Sequence, residues 1–120
     1  MKYLLILLSF LSVFAFAETA SVQEYWIAPT QRSDGSPLAL KEISEYTVRY
    51  RLAGAATYTI VKVLPPALSV RIDDLPYGNY EISYSATDTK GLVSKWSVTA
   101  LFTVSAAPVV ESYVRVTKVQ

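Results

Sequence analysis

The sequence contains no cysteine and no histidine. Without cysteine, no disulfide bond supports the fold, so its stability has to come from core packing and strand pairing. Without histidine, the chain lacks the commonest general base and the commonest transition-metal ligand. A serine or threonine nucleophile needs a base to activate it, and no motif supplies one. The sequence therefore predicts a protein that is not an enzyme, with no catalytic, cofactor-binding or metal-binding residues.

Blocks of charge of one sign are also absent. Eleven lysine and arginine residues stand against ten aspartate and glutamate residues, without a basic run. This balance argues against binding to nucleic acid or to anionic lipid. The adjacent carboxylates Asp73 and Asp74 are interpreted as a solvated strand end and not as a cation site, because neighbouring side chains of a strand point to opposite faces. Asp34 and Asp88, near glycines, are interpreted as turn formers.

The first 17 residues predict a secretory signal peptide. Lys2 precedes an almost wholly apolar run, residues 3–14, and Ala15 and Ala17 occupy the small-residue positions of a cleavage site. The alternative is an uncleaved membrane anchor, but a spanning helix needs about 20 apolar residues. Cleavage before Glu18 predicts an exported chain, periplasmic or extracellular, with no membrane span after cleavage.

An unbroken alternation over residues 80–86 is the strongest strand signal in the chain. The side predicted to face a core comprises Tyr80, Ile82, Tyr84 and Ala86. The side predicted to face water comprises Glu81, Ser83 and Ser85. Further strands are predicted at residues 21–26, 45–52, 57–64, 68–73 and 96–104. Short strands separated by turn signals predict an all-β fold in which two antiparallel sheets pack as a sandwich.

The residues that shape these strands resemble the pattern of a fibronectin type III domain. The positions that carry the resemblance are Trp26, Pro29, Tyr46, Tyr50, Leu75, Gly78, Tyr80, Ala86 and Gly91. The resemblance implies an immunoglobulin-like sandwich of seven strands, in which the Tyr80 hydroxyl hydrogen-bonds a backbone group of the preceding turn. Two features depart from the family: its first strand is missing or very short, and Glu24 stands where an apolar residue is usual. We expect Glu24 to stay in water, since burying an unpaired carboxylate is costly.

The sequence divides into three predicted parts. These are a signal peptide (1–17), a fibronectin type III-like domain (18–108) and a strand-like tail (109–120). In the tail, Val114 and Val116 share one face, and Arg115 and Thr117 share the other. The tail is open to three interpretations: it supplies the missing first-strand edge, it adds a strand to a neighbouring molecule, or it is a frayed end. We favour the first, because a free edge and a strand-like tail are complementary.

Aromatic side chains carry the functional interpretation. Those on predicted inward faces, assigned to the core, are Trp26, Tyr46, Tyr50, Tyr80 and Tyr84. The candidates for contact with a partner are Tyr58, Tyr77, Trp96 and Tyr113. Tyrosine and tryptophan anchor protein partners or stack on sugars. We therefore expect a non-enzymatic module for protein binding or self-association, through a sheet edge, the end loops or the tail; the alternative is a carbohydrate-contacting accessory module.

Overall fold

The structure is a computed structural model that describes residues 18–107 and 113–119. The predicted signal peptide and the first residues of the predicted tail lie outside these ranges. The described strands are β1 (Thr19–Ile27), β2 (Ile43–Leu52), β3 (Thr59–Val63), β4 (Ser69–Pro76), β5 (Gly78–Asp88), β6 (Ala100–Val104) and β7 (Tyr113–Arg115). A turn of 3-10 helix (Leu40–Glu42) precedes β2.

The strands form two sheets. One has the order β4-β1-β7 and the other the order β3-β2-β5-β6. The all-β class and the packing of two antiparallel-rich sheets confirm the prediction. The expectation of antiparallel pairing fails at one ladder, since β1 and β7 run parallel.

The two sheets meet at Trp26 of β1. The centroid of its ring lies 5.4 Å from that of Tyr46 and 5.2 Å from that of Tyr84, both from the opposite sheet. All three side chains are buried. Aromatic pairs at such separations contribute about 0.5–1.5 kcal/mol beyond the area they bury. This contact therefore fixes the two sheets face to face.

Glu24 is half-buried, so it stays in water only in part, where the sequence predicted that it would be solvated. It lies two residues before Trp26 and so shares the inner face of β1. Burial, reinforced by the nearby charge of Glu24, raises the pKa of the Tyr84 hydroxyl. Glu24 also makes an interaction of its own within the protein, so it is not the unpaired buried carboxylate that would be costly.

β7 lies at the edge of the first sheet, beside β1. Its three residues pair with Tyr25, Trp26 and Ile27, and the next amide, that of Val116, donates a hydrogen bond to the carbonyl oxygen of Ile27 at 2.8 Å. Val116 and Val119 are both buried in the core. The tail thus supplies a sheet edge, as the favoured interpretation predicts, and residues 113–119 belong to the same packed body as the strands before them.

Asp73 and Asp74 lie in a β-bulge within β4. Along this pair of strands, Ala20 lies opposite Leu75 and Val22 opposite Ile72, so β4 has one residue more than β1. Asp74 takes the left-handed conformation with φ 55°, which aspartate tolerates better than most residues. The extra residue turns Leu75 back into the core. Both carboxylates are exposed, but the bulge lies inside the strand and not at the predicted strand end.

The connection between β4 and β5 consists of Tyr77 alone. The Tyr80 hydroxyl donates a hydrogen bond to the carbonyl oxygen of Pro76 at 2.7 Å, which is the contact that the family resemblance implies. Gly78 has φ 155°, and a Cβ atom at this position would lie 3.0 Å from Leu52 Cδ2. The Tyr80 hydrogen bond therefore fixes the turn, and glycine at position 78 allows the chain to pass close to Leu52.

The last predicted strand, residues 96–104, is regular only from Ala100. Before it, the chain follows β5 through two serines. The amides of Ser94 and Ser97 donate to the carbonyl oxygens of Ala86 and Tyr84, and their hydroxyls accept hydrogen bonds at 2.9 Å from the amides of the same two residues. Each hydroxyl takes the place of a partner strand's carbonyl oxygen, so pairing continues without regular strand geometry.

Candidate functional site

The candidate site lies on the outward face of the four-stranded sheet. Inward-facing residues of β2 alternate with Arg49 and Arg51, which therefore point away from the core. Arg49 lies opposite Ile60 of β3 and Ser83 of β5. Arg51 lies opposite Glu81 of β5. The register thus places two cations side by side in the middle of the sheet.

Two aromatic rings alternate with these two arginines. The Arg49 guanidinium carbon lies 4.1 Å from the centroid of the Trp96 ring and 4.5 Å from that of Tyr58. The Arg51 guanidinium carbon also lies 4.2 Å from the Tyr58 centroid, so Tyr58 contacts both arginines. We call Arg49, Arg51, Tyr58 and Trp96 the arginine–aromatic cluster. A cation within about 6 Å of an aromatic ring contributes roughly 0.5–2 kcal/mol, so the cluster stabilises its own arrangement.

Hydrogen bonds fix the orientation of both guanidinium groups. Arg49 Nε donates to Ser83 Oγ at 2.7 Å. Arg51 Nε donates to Glu81 Oε2 at 2.8 Å, and its Nη1 donates to the carbonyl oxygen of Ala55 at 3.0 Å. The hydrogen bond that Arg51 donates to Glu81 raises the pKa of Arg51. Arg49 forms no ion pair with any carboxylate of the described chain, so its charge faces only the two rings and the serine hydroxyl.

Ser83 and Ser85 are buried at 1% and 2% exposure, and the prediction that they face water is wrong. Arg49 lies against Ser83, to which it is hydrogen-bonded. Ser85 lies opposite Thr47, whose hydroxyl accepts a hydrogen bond from Lys62 Nζ at 2.8 Å. Long cationic side chains cover short neighbours with their methylene stems. The period-two pattern assigns these serines to the correct face, but the face itself is covered.

Exposed aliphatic side chains flank the cluster. Ile60 of β3 is 58% exposed, and Leu101 of β6, opposite Glu81, is 74% exposed. They stand on the two outer strands of the sheet, with the arginines between them. The outward face therefore combines cations, aromatic rings and aliphatic groups.

The structure brings together two of the four predicted contact residues. Tyr58 and Trp96, both half-buried, meet through Arg49, which covers one face of each ring. Tyr77 lies in the turn between β4 and β5, and Tyr113 lies on β7 in the other sheet. Arg49 and Arg51 are not among the residues predicted from the sequence. Their spacing of two on an outward face, with unassigned aromatics in the neighbouring segments, is the signal that could have identified them.

The nine positions of the family resemblance all lie in the core or in turns. The buried ones are Trp26, Pro29, Tyr46, Leu75, Tyr80 and Ala86. Tyr50 is half-buried against the core. Gly78 and Gly91 have positive φ angles of 155° and 86°. These residues position the sheets and contribute no exposed chemistry.

An ion cluster around the buried carboxylate of Asp88 joins the loops at one end of the sandwich. Arg32 Nη1 lies 2.8 Å from Asp88 Oδ2, and its Nη2 lies 3.1 Å from Glu42 Oε2. The other oxygen of Asp88 accepts hydrogen bonds from the amides of Lys90 and Leu92. The Arg32 guanidinium holds the pKa of Asp88 below its usual range. Asp88 shapes a turn, as predicted, but it is also a fully engaged carboxylate that ties the turn to a distant loop.

Within residues 18–107 and 113–119, no group of three or more histidine, cysteine, aspartate or glutamate side chains is placed to hold a metal ion. None of the helical structure in those residues has the length and apolar character to cross a membrane. Comparisons of the chain with family models, with curated proteins and with solved structures find no match.

Proposed function

We propose that the chain is an exported, non-enzymatic β-sandwich module that binds a protein partner through the outward face of its four-stranded sheet. The arginine–aromatic cluster is the observation that carries this proposal. Tryptophan, tyrosine and arginine are the residue types that contribute most to binding energy at protein interfaces. The stacked rings and guanidinium groups are already ordered, so little side-chain entropy is lost when a partner binds.

The flanking aliphatic residues support the same proposal. Ile60 and Leu101 expose apolar surface on both sides of the cluster. A partner that covered the cluster and both aliphatic side chains would bury apolar area together with the arginine stems. It would also exclude water from the cation–π contacts. Cation–π contacts strengthen when they are desolvated. Binding would thus reinforce the arrangement that exists in the free protein.

We further propose that the module is of the fibronectin type III kind. The Tyr80–Pro76 hydrogen bond and the burial of Trp26 between the sheets support it. The division into sheets of three and four strands is in keeping with it. The parallel β7 beside β1 is this chain's own departure from the antiparallel arrangement. Export to the periplasm or the cell exterior is supported by the signal-peptide pattern of residues 1–17.

Site-specific photo-crosslinking in the cells that make the protein tests the binding face. A photoreactive phenylalanine analogue replaces Ile60 or Leu101, and the control position is Leu40, an exposed leucine of the 3-10 helix away from the sheet face. We expect discrete protein adducts from Ile60 and Leu101 that disappear in an Arg49→Glu background. An adduct of twice the chain mass would identify the partner as a second copy.

Two outcomes would overturn the proposal. One is the absence of protein adducts from the face; the other is an equal yield from Leu40. A carbohydrate-contacting module would instead give no adduct, together with a change in tryptophan fluorescence on addition of a glycan. Since Arg49 covers one face of both Tyr58 and Trp96, each ring has at most one face free for a sugar.

A further inference from the structure

A cavity of about 670 Å³ opens beside the chain that follows β7. Its lining residues are Ser33, Lys95, Arg115, Val116, Thr117 and Lys118. Cavities of roughly 300–1,000 Å³ accommodate small ligands or short segments of a partner. None of its lining residues belongs to the arginine–aromatic cluster, although Lys95 directly precedes Trp96 in the chain.

The described residues of the lining carry positive charge only. Lys95, Arg115 and Lys118 contribute three exposed cations, and no aspartate or glutamate stands among the described residues that line the cavity. None of the three forms an ion pair with another described residue. Cations that share one cavity repel each other, and an anionic ligand there would relieve the repulsion. The cavity is therefore complementary to negative charge.

The fold itself builds this concentration of charge. Arg115 is the last residue of β7, and Lys118 follows three residues later. Lys95 precedes Trp96 on the segment that runs beside β5. Hydrogen bonds from Val116 to Ile27 and from the Ser33 amide to Val119 hold the chain around Thr117 in place. The cations are thus anchored to ordered backbone, which reduces the entropy lost when they engage a ligand.

We propose that this cavity binds carboxylate side chains of an acidic segment in the protein partner. The inference rests on the proposed function, to which it adds the chemistry that the partner presents. Lys95 of the cavity directly precedes Trp96 of the cluster in the chain, and this adjacency is the link between the two sites. Ser33 and Thr117 add hydroxyl donors that suit carboxylate oxygens.

A short acidic segment fits better than a long polyanion. Nucleic acids and sulfated polysaccharides are bound by extended positive tracks. Here the positive region is local, and the exposed carboxylate of Asp34 lies next to Ser33 in the same turn. A long polyanion that left the cavity on this side would meet that negative charge, whereas a segment with two or three carboxylates need not extend that far.

Titration of the ¹⁵N-labelled chain 18–120 with a short peptide of alternating Glu and Ala tests the proposal. We expect the amide resonances of Ser33, Lys95 and Lys118 to shift at low ionic strength, and to return as salt is added. The same peptide with Gln in place of Glu should cause no shift. Lys118→Glu should weaken binding by tenfold or more. The matched control Lys41→Glu, the same charge reversal outside this cavity, should leave binding unchanged.

The inference would be overturned by no shift with the acidic peptide, by shifts confined to other surfaces, or by equal weakening of binding in Lys41→Glu. If inorganic phosphate or a sulfated oligosaccharide shifts the same amides at lower concentration than the peptide, the occupant is not a protein segment. Unchanged resonances elsewhere in the Lys118→Glu spectrum confirm that the variant folds. If Ile60 and Leu101 give crosslinks but the chain does not bind the peptide, the cavity proposal fails and the proposed binding face is unaffected.

Discussion

Arg49 stands between Trp96 and Tyr58, with its guanidinium carbon 4.1 Å and 4.5 Å from the two ring centroids. Trp96 belongs to the segment that joins β5 to β6, and Tyr58 directly precedes β3. A single side chain on the central strand β2 thus connects opposite margins of the sheet. Its loss affects the stability of the sheet as well as the proposed binding face.

Substitution of Arg49 by Gln should lower the free energy of unfolding by about 1–2 kcal/mol. The change removes both ring contacts and the charged hydrogen bond to Ser83. Urea denaturation followed by fluorescence measures the effect. The control is Arg71→Gln, because Arg71 is largely exposed and pairs only with exposed Asp73. Exposed ion pairs contribute little to the free energy of unfolding. Equal losses of stability in the two variants would contradict a special role for Arg49.

Val119→Ala should destabilise the fold by about 1–2 kcal/mol. Val119 is fully buried, and the change removes two buried methyl groups and leaves a cavity. In a domain of this size, each 1 kcal/mol lowers the melting temperature by about 4–8 °C. Val98→Ala makes the identical chemical change at 80% exposure and should leave the melting temperature unchanged. If Val119→Ala behaves like Val98→Ala, the tail does not pack as the structure shows.

Asp88→Asn should lower the melting temperature at pH 7 and make stability less sensitive to acid. In the folded protein, Arg32 lowers the pKa of Asp88. The resulting stabilisation is therefore present above the unfolded pKa of about 3.9 and is lost as the pH falls through the lower folded value. Thermal melts between pH 7 and pH 2 check this. Arg32→Gln should act similarly, and the double variant should be less destabilised than the sum of the two.

Tyr80→Phe should lower the free energy of unfolding by about 1 kcal/mol. The change removes the hydrogen bond that the hydroxyl donates to Pro76 and keeps the ring that packs in the core. Tyr77→Phe removes a hydroxyl from an exposed ring three residues earlier and should change nothing measurable. Denaturant unfolding of the pair provides the comparison. Matching midpoints for the two variants would mean that the Tyr80 hydrogen bond does not hold the turn.

Local periodicity predicted most of the strands. Alternation along β2 and β5 placed Tyr46, Tyr84 and Ile82 in the core, because side chains of a strand point to alternate faces whatever the topology. Such a pattern carries no information on contacts between distant segments, and these contacts were missed. Nothing near Asp88 in the sequence indicates its ion pair with Arg32, which is 56 residues away.

The irregular edges and the candidate site were harder to predict. Ser97 pairs with β5 through its hydroxyl, and no propensity scale distinguishes a serine that replaces a carbonyl oxygen from one in a strand. The arginine–aromatic cluster depends on the registers of β2 with β3 and β5. Aromatic residues alone identified Tyr58 and Trp96, but their arginine partners became apparent only once those registers were known.

The position of β7 has a consequence for how the protein is made. Because this strand closes the edge beside β1, the first described strand pairs on that side with a strand that follows all the other described strands in the sequence. A chain that is synthesised or translocated from its N-terminus exposes the open side of β1 until β7 emerges. Closure of the three-stranded sheet therefore follows the emergence of residues 113–115, and until then this edge of β1 is available to chaperones.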